Sequence, residues 1–215
     1  MSRAIVIAGT DTDAGKTVAA AGITLCLPEA RYWKPVQSGT VPTTDTATVR
    51  ALTGLPDERF LPEGYYLQEP ASPHLSARRE GIVIDPAKLV IPTPPDGAPV
   101  VVESAGGVMV PLTEDYLTID LFARWGAPVV LVARTGLGTI NHTLLTIEAL
   151  RARSIPLGGL LFSGEAHAEN ERIIPKISGV RVLGRLPRLA PLDTARLRAA
   201  METHIDLAAL RDLVR

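Results

Sequence analysis

Short apolar runs recur along the chain, separated by longer segments in which apolar and polar residues are mixed. The clearest runs are residues 4–8, 100–102, 129–133, 157–162 and 180–183. None of them alternates apolar and polar positions, as a strand with one face in water would do. The runs therefore predict strands buried on both faces, as in a parallel sheet that is covered by helices.

The segments between these runs have the composition and spacing of helices. Residues 17–27 follow the first predicted strand as a helix, residues 139–153 repeat apolar side chains at helical spacing, and residues 193–215 supply terminal helical turns. This order predicts an α/β fold with a mostly parallel sheet and helices on both faces. Because 215 residues can bury one sizeable core, we expect residues 1–215 to form a single domain.

Residues 36–99 differ from the rest because prolines punctuate them and leave room for only short elements. Ligand-facing loops of α/β sheets gather at the carboxyl ends of the strands. A long insertion at this point is therefore expected to shape a substrate site.

Charge and cysteine content exclude several functions. The 22 basic and 23 acidic residues leave a net charge of -1, so the chain has no excess of positive charge with which to bind nucleic acid or an anionic membrane. Cys26 is the single cysteine, so no internal disulfide can form, which fits a reducing cytoplasm. The apolar run at residues 4–8 is too short for a signal peptide, and no run reaches the roughly 18 residues of a membrane helix. We expect a soluble, cytoplasmic protein with a small partner.

The residues Gly9 to Thr17 read GTDTDAGKT and lie between a predicted strand and a predicted helix. In that context backbone N–H groups and the helix N-terminus cradle phosphates, Lys16 reaches the outer phosphates, and Thr17 offers its hydroxyl to magnesium. The segment resembles the Walker A motif and predicts a P-loop NTPase-like fold. It departs from the strict motif because Thr10 occupies the first glycine position and Gly9 lies one residue earlier.

Two further segments place charged groups at the same edge of the sheet. Glu103 ends the apolar run at 100–102 and precedes small residues, so its carboxylate can reach a magnesium ion held by Thr17. Lys34 ends a probable second strand in the sequence YWKPVQSG, where it could neutralise negative charge on a reacting substrate. Asp45 precedes another predicted helix and is either its N-cap or a further magnesium ligand.

Taken in order, these motifs resemble those of dethiobiotin synthetases. The resemblance rests on residues 9–17, KPVQSG at 34–39, Asp45, EP and SPH at 69–74, ESAGG at 103–107 and GLGTINH at 136–142. It covers about residues 1 to 190 and implies conversion of 7,8-diaminononanoate, carbon dioxide and ATP into dethiobiotin, ADP and phosphate. It also implies magnesium as cofactor, a carbamate, and a carbamic-phosphoric mixed anhydride.

The resemblance assigns site residues one by one. Lys34 and Lys16 are the catalytic lysines, while Thr17, Asp45 and Glu103 hold the metal. Nucleotide binding falls to Asp13, Ala14, Gly15, Lys16, Thr17, Val18, Asp45, Glu103, Ser104, Ala105, Gly106, Ser163, Gly164, Leu186, Pro187 and Arg188. Substrate binding falls to Thr12, Lys34, Ser38, Gly138, Thr139, Ile140 and Asn141.

Two of these assignments carry consequences. The helix start at Gly138 to Asn141 offers backbone donors to a carboxylate, and in the resembled family it comes from the partner subunit. A homodimer with sites at its interface is therefore expected. Many relatives read adenine through Asn-Asp where this chain has Ser163 and Gly164, so its base contact must differ and uses mostly backbone groups at Leu186, Pro187 and Arg188.

Two other classes of protein also contain a phosphate loop. A P-loop amide ligase with a glutaminase domain would need a nucleophilic cysteine and a longer chain than this one. A partitioning ATPase would carry a second lysine early in its loop, where this chain has the acidic Asp11. A partitioning protein or a regulatory nucleotide switch would also be expected to bind a protein or DNA. The balanced charge and the motif around Lys34 also favour the ligase. His142 is expected to cap or pack, and His74, His167 and His204, which lack metal-ligand spacing, are expected to be ordinary surface or packing residues.

Overall fold

The computed structural model describes residues 3–215 as a parallel sheet flanked by helices. Its strands are β1 Ala4–Gly9, β2 Arg31–Trp33, β3 Val36–Ser38, β4 Phe60–Leu61, β5 Tyr65–Leu67, β6 Val100–Gly107, β7 Val129–Arg134, β8 Leu157–Ser163 and β9 Val182–Leu186. Its helices are α1 Lys16–Cys26, α2 Asp45–Thr53, α3 Pro73–Glu80, α4 Thr118–Trp125, α5 Thr139–Ala152, α6 Ala168–Ser178, α7 Thr194–His204 and α8 Leu207–Asp212.

Seven strands form the main sheet in the order β4-β2-β6-β1-β7-β8-β9, and every neighbouring pair is parallel. The chain leaves β1 towards β2 on one side and later returns to place β7 on the other side. Such a change of direction opens a crevice at the carboxyl ends of the central strands. The phosphate-loop residues that follow β1 lie at this crevice.

The central strands divide their side chains between two apolar layers. Ala4, Val6 and Ala8 of β1 pack into the layer that contains residues of α3, α4, α5 and α6. Ile5 and Ile7 face the opposite layer, which contains residues of α1, α2, α7 and α8. Burial of β1 on both faces explains why its sequence shows no polar alternation.

Most of the predicted elements are present with small shifts. The predicted last strand at 180–183 begins two residues later, at Val182, and the run that was expected to end at Glu103 continues to Gly107 beyond a register shift against β1. The periodicity at residues 118–125 and 168–178 was not recognised as helical. Among residues 3–215 no helix combines the length and apolar character needed to cross a bilayer.

The proline-rich insertion folds into short elements, as expected. Strands β3 and β5 form a separate parallel pair, in which Val36 lies opposite Tyr65 and Ser38 opposite Leu67. Helices α2 and α3 connect to this pair, and the insertion ends in a loop that leads into β6. It thereby stands over the carboxyl end of β2, next to the crevice.

Gly184 in β9 provides a test of how the C-terminal helices are attached. It has a φ of 129° and forms a bridge with Ile205, and a Cβ added there would overlap the backbone O of His204. We predict that Gly184→Ala lowers the free energy of unfolding by about 2 kcal/mol or more, because the backbone or the α7–α8 connection must shift. Urea unfolding followed by circular dichroism measures this change.

Gly136→Ala is the matched control, since an added Cβ there meets no atom of residues 3–215 within 4 Å. Its unfolding midpoint should stay close to that of the unsubstituted chain. Equal stability of the two variants would contradict the close contact at Gly184.

Candidate active site

A cleft of about 740 Å³ opens at the carboxyl end of the sheet, beside the loop that joins β1 to α1. Its walls are that loop, the ends of β2 and β6, and part of the insertion. The polar side chains lining it include Thr12, Asp13, Lys16, Thr17, Lys34, Gln37, Ser38, Asp45 and Glu103. Ligands of open α/β sheets bind at this edge, so the cleft is the candidate active site.

The loop between β1 and α1 presents backbone donors to the cleft. Gly15 has a φ of 95° directly before α1, and because it has no side chain the first N–H groups of the helix remain available to an anion. Lys16 Nζ donates a hydrogen bond to the backbone O of Asp11 at 2.8 Å, so its stem folds back along the loop. A Cβ on Gly9 would lie 2.9 Å from Lys16 Cδ, which explains the glycine at this early position.

Four side chains that are far apart in the sequence meet at the bottom of the cleft. Lys34 Nζ lies 2.6 Å from Asp45 Oδ2 and 3.2 Å from Glu103 Oε1. Thr17 Oγ1 lies 3.1 Å from Asp45 Oδ1 and 2.8 Å from Glu103 Oε1, the oxygen that Lys34 also contacts. Lys34 also donates to the backbone O of Ser104 at 3.1 Å. We refer to Thr17, Lys34, Asp45 and Glu103 as the charge cluster.

Because the cluster is largely buried, the pKa of each charged side chain depends on the charges of its neighbours. The side chains of Lys34 and Glu103 are 3% and 1% exposed, whereas that of Asp45 is 33% exposed. Burial alone would lower the pKa of Lys34, but the negative charges of Glu103 and Asp45 outweigh it and raise that pKa. For Asp45, burial opposes ionisation, but the charge of Lys34 prevails and lowers the pKa.

The pKa of Lys16 shifts in the opposite direction to that of Lys34. Burial is the main reason that its pKa is lowered, and the positive charge of Lys34 adds to the effect. Two ammonium groups therefore face one cleft, in surroundings from which much of the water is excluded. These ammonium groups are positioned to contact a ligand that carries negative charge.

Asp45 reaches the cluster because it is not the N-cap of α2. That position is filled by Thr44, whose side chain accepts a hydrogen bond from the N–H of Ala47, so the interpretation of Asp45 as a cap was wrong. The N–H of Asp45 donates instead to Gln37 Oε1 at 3.1 Å, and Gln37 Nε2 donates to the O of Gly39 at 2.7 Å. Gln37 thus connects β3 to the start of α2, a role that sequence reasoning missed.

Tyr32 is a second residue that sequence reasoning missed. It lies within β2, is fully buried, and donates its phenolic hydrogen to Glu103 Oε2 at 2.8 Å. Burial, followed by the charge of Glu103, raises the pKa of Tyr32 well above its usual value. A tyrosine in a buried apolar strand was the available signal, because its hydroxyl needs a partner.

The oxygen atoms of the cluster are of the chemical type that Mg²⁺ prefers. Among residues 3–215 no group of three or more His, Cys, Asp and Glu side chains is placed to hold a metal. The cluster instead offers two carboxylates and one hydroxyl. Mg²⁺ prefers oxygen ligands and commonly binds one or two carboxylates together with substrate phosphates and waters.

Other predicted residues line the cleft or lie just behind it. Ser38 lies in the cleft wall, and its Oγ has no hydrogen-bond partner among residues 3–215. Ala105 and Gly106 border the cleft, whereas Ala14 and Ser104 are buried. The hydroxyl of Ser38 is therefore buried and, within the described chain, unpaired beside the cleft.

The predicted base-binding residues form a separate group next to the phosphate loop. A Cβ on Gly15 would overlap the side chain of Ser163, and the N–H of Gly164 donates to the O of Leu186 at 3.0 Å. The ends of β8 and β9 therefore adjoin the start of α1, although they do not line the cleft described above. Arg188 follows in an exposed loop.

The predicted substrate-tail residues lie outside the cleft of their own chain. Helix α5 begins at Thr139 after Gly138, which has a φ of 88°, so the predicted helix start is present. Asn141 is exposed and Ile140 partly buried, and neither lines the cleft in the described chain. Leu137, directly before this turn, is 100% exposed.

A parallel sheet with a phosphate loop after its first strand defines the class of P-loop nucleotide-binding proteins. Residues 3–196 match the family described as an AAA domain. Two curated relatives share the name "ATP-dependent dethiobiotin synthetase BioD". The one from Afipia carboxidovorans is 57% identical over 208 residues, covering 97% of this chain and 98% of the relative. The one from Agrobacterium fabrum is 56% identical and covers 97% of each chain.

The chain belongs to the ATP-dependent dethiobiotin synthetases, which are enzymes of biotin biosynthesis. The family expected from the motifs is thereby confirmed. The two matches extend over nearly the whole of both proteins.

Among solved structures, the cell division ATPase MinD of Pyrococcus furiosus is similar, with a TM-score of 0.55 and 12% identity. The match covers 100% of this chain and 97% of MinD. The MinC:MinD complex of Aquifex aeolicus also gives a TM-score of 0.55 at 12% identity, covering 99% of this chain and 94% of the other. At this identity the likeness concerns the fold alone, and it confirms the predicted P-loop architecture.

The charge cluster predicts a specific pattern of stabilities. Lys34→Gln should lower the free energy of unfolding at neutral pH by about 3 kcal/mol, because it removes the cation from a buried pair and leaves Glu103 uncompensated. A second change, Glu103→Gln, should recover a substantial part of that loss. Urea unfolding of the two single variants and the double variant gives the coupling energy. Strictly additive effects would mean that the two charges do not depend on each other.

Proposed function

We propose that the chain converts 7,8-diaminononanoate, carbon dioxide and ATP into dethiobiotin, ADP and phosphate. The family membership supports the overall reaction. The observation that carries the detailed proposal is the buried ammonium of Lys34, which lies in the same cleft as Lys16 and its phosphate loop. ATP as the phosphoryl donor fits a cytoplasmic site of action.

The phosphate chain of ATP is assigned to the loop before α1. The free N–H groups that follow Gly15 and the ammonium of Lys16 would bind the outer phosphates. Thr17, Asp45 and Glu103 would hold Mg²⁺, which when bound neutralises charge on the phosphates. Val18 and Asp13 border the same end of the cleft and complete the nucleotide site.

The first chemical step joins the substrate to carbon dioxide. One amine of the diamine attacks the carbon of CO₂, forms a C–N bond and loses a proton, so that a carbamate anion results. Lys34 is suited to hold this anion because its own charge is maintained by Glu103 and Asp45. Ser38 and Thr12 line the cleft and would hydrogen-bond the carbamate or the diamine.

Phosphoryl transfer and ring closure complete the reaction. A carbamate oxygen attacks the γ-phosphorus of ATP, ADP leaves, and a carbamic-phosphoric mixed anhydride forms. The second amine then attacks the carbonyl carbon, and phosphate departs as the ring closes. Two anions must approach each other in the phosphoryl transfer step, so the ammonium groups of Lys16 and Lys34 would lower its barrier.

The base of the nucleotide is assigned to the carboxyl ends of β8 and β9. Ser163 touches the phosphate loop at Gly15, and Gly164 is hydrogen-bonded to Leu186. Pro187 and Arg188 follow within the next two positions. Because few side-chain groups are available here, recognition would rely mostly on backbone groups.

We also propose that two copies of the chain form the working enzyme. Gly138 to Asn141 supply a helix N-terminus suited to a carboxylate, but they lie away from the cleft of their own chain. Two large apolar side chains near them are exposed, Leu137 at 100% and Leu145 at 62%. A second copy placed against this surface would bring the helix start to the substrate tail and cover both leucines.

The reaction is tested by measuring ADP release with each substrate omitted in turn. We expect release to require both bicarbonate and 7,8-diaminononanoate, with dethiobiotin formed in equal amount. Hydrolysis indifferent to the diamine would contradict the proposal and would instead fit a nucleotide switch. In the same assay Lys34→Gln should reduce product formation by at least about 100-fold, since electrostatic stabilisation of this kind contributes that much.

The exposed Lys176 provides the matched control for Lys34. Lys176→Gln makes the same chemical change on α6 and should leave turnover near that of the unsubstituted enzyme. Both variants are assayed well below their unfolding midpoints, because Lys34→Gln is also expected to be less stable. Near-normal turnover in folded Lys34→Gln would remove Lys34 from the mechanism.

The dimer is tested with a charge placed on the proposed interface. We predict that Leu145→Glu shifts the chain from dimer to monomer in sedimentation velocity and raises the KM for the diamine, because burial of a carboxylate is costly. Ile177→Glu, at a residue 60% exposed on α6, is the control and should leave the dimer intact. Dissociation by Ile177→Glu alone would place the interface elsewhere.

A further inference from the structure

Tyr32 and Glu103 lie on neighbouring parallel strands and on the same face of the sheet. Tyr32 of β2 is in register with Val101 of β6, and Glu103 follows two positions further along that strand. Side chains two positions apart on a strand point to the same face. The phenol ring therefore extends along the sheet towards its carboxyl end, and its hydroxyl meets Glu103 Oε2 at 2.8 Å.

The two oxygens of Glu103 have separate partners. Oε2 accepts from Tyr32, while Oε1 lies 2.8 Å from Thr17 Oγ1 and 3.2 Å from Lys34 Nζ. The terminal torsion of a glutamate is broad, so the strand alone does not determine which way its carboxylate plane turns. A donor on one oxygen selects a single orientation, in which the other oxygen faces the cleft.

The ring of Tyr32 is held independently of its hydroxyl. It is fully buried and packs at a tilt against Phe60, with ring centroids 6.3 Å apart. Its hydroxyl does not border the cleft, so it reaches a ligand only through Glu103. Removal of the oxygen atom alone should leave the ring in place and change only the hydrogen bond.

We propose that Tyr32 is a positioning residue, which orients Glu103 so that Oε1 can serve as a metal ligand beside Thr17. This inference rests on the proposed function, which assigns Mg²⁺ to Thr17, Asp45 and Glu103. Partners that orient a metal ligand affect metal affinity although they do not touch the metal. Tyr32 thus belongs to the active site through the carboxylate that it holds.

Metal binding is measured directly, apart from turnover. Mn²⁺ is titrated into the full chain with a non-hydrolysable ATP analogue, and free Mn²⁺ is followed by electron paramagnetic resonance. Tyr32→Phe should raise the Kd for Mn²⁺ about tenfold, at the lower end of the effect expected for such a partner. The Mg²⁺ concentration for half-maximal turnover should rise similarly, with little change in the KM for the diamine.

Tyr65→Phe is the matched control. Tyr65 OH accepts a hydrogen bond from the N–H of Asp85 at 2.8 Å, away from the cleft, so the same atom is removed without contact with the charge cluster. Its Mn²⁺ affinity should equal that of the unsubstituted chain. Both variants are first checked for cooperative thermal unfolding, which a merely structural hydrogen bond would alter without any effect on Mn²⁺.

Glu103→Gln separates failure of this inference from failure of the proposed metal site. Loss of Mn²⁺ affinity in both Glu103→Gln and Tyr32→Phe supports the inference. Loss in Glu103→Gln with unchanged affinity in Tyr32→Phe overturns it and leaves the metal site standing. Unchanged affinity in Glu103→Gln removes Glu103 from the metal site, and the role of Tyr32 falls with it.

Discussion

The arrangement of the site depends on one physical constraint, the need to neutralise a buried carboxylate. Glu103 is almost fully buried at the centre of the sheet, where an unpaired charge would be strongly unfavourable. Thr17 reaches it from α1, whereas Tyr32 lies in β2 and Lys34 directly follows that strand. These contacts therefore form only when the strands and α1 lie in their observed positions.

The parallel topology makes this meeting possible. Strands β2 and β6 are neighbours, β1 lies on the other side of β6, and all three end at the same edge. The insertion then adds what the sheet alone lacks, because α2 brings Asp45 to the open side of Lys34. Under the proposed function, this addition adapts a phosphate-binding sheet to hold a second anionic reactant. The shared fold with MinD carries no such information, since reactions depend on sites more than on folds.

Local patterns explain what could be predicted and what could not. The strands at β1, β7 and β8 were recognisable because they are buried on both faces and therefore continuously apolar. Helix α6 was missed because a proline at 175 interrupts its pattern, and the capping role given to Asp45 belongs to Thr44. An N-cap differs by one position from the first helical residue, and sequence does not settle which of two adjacent polar residues fills it.

By itself the sequence determined the class of fold, the phosphate loop and the candidate charges at Lys34 and Glu103, because each depends on residues close together in the chain. Only the tertiary structure decided that Tyr32 donates to Glu103 and that Gln37 receives the N–H of Asp45. It also decided that Lys34 is buried between two carboxylates rather than exposed to solvent. These contacts join residues from separate elements, and their geometry depends on strand register and burial, which no local pattern encodes.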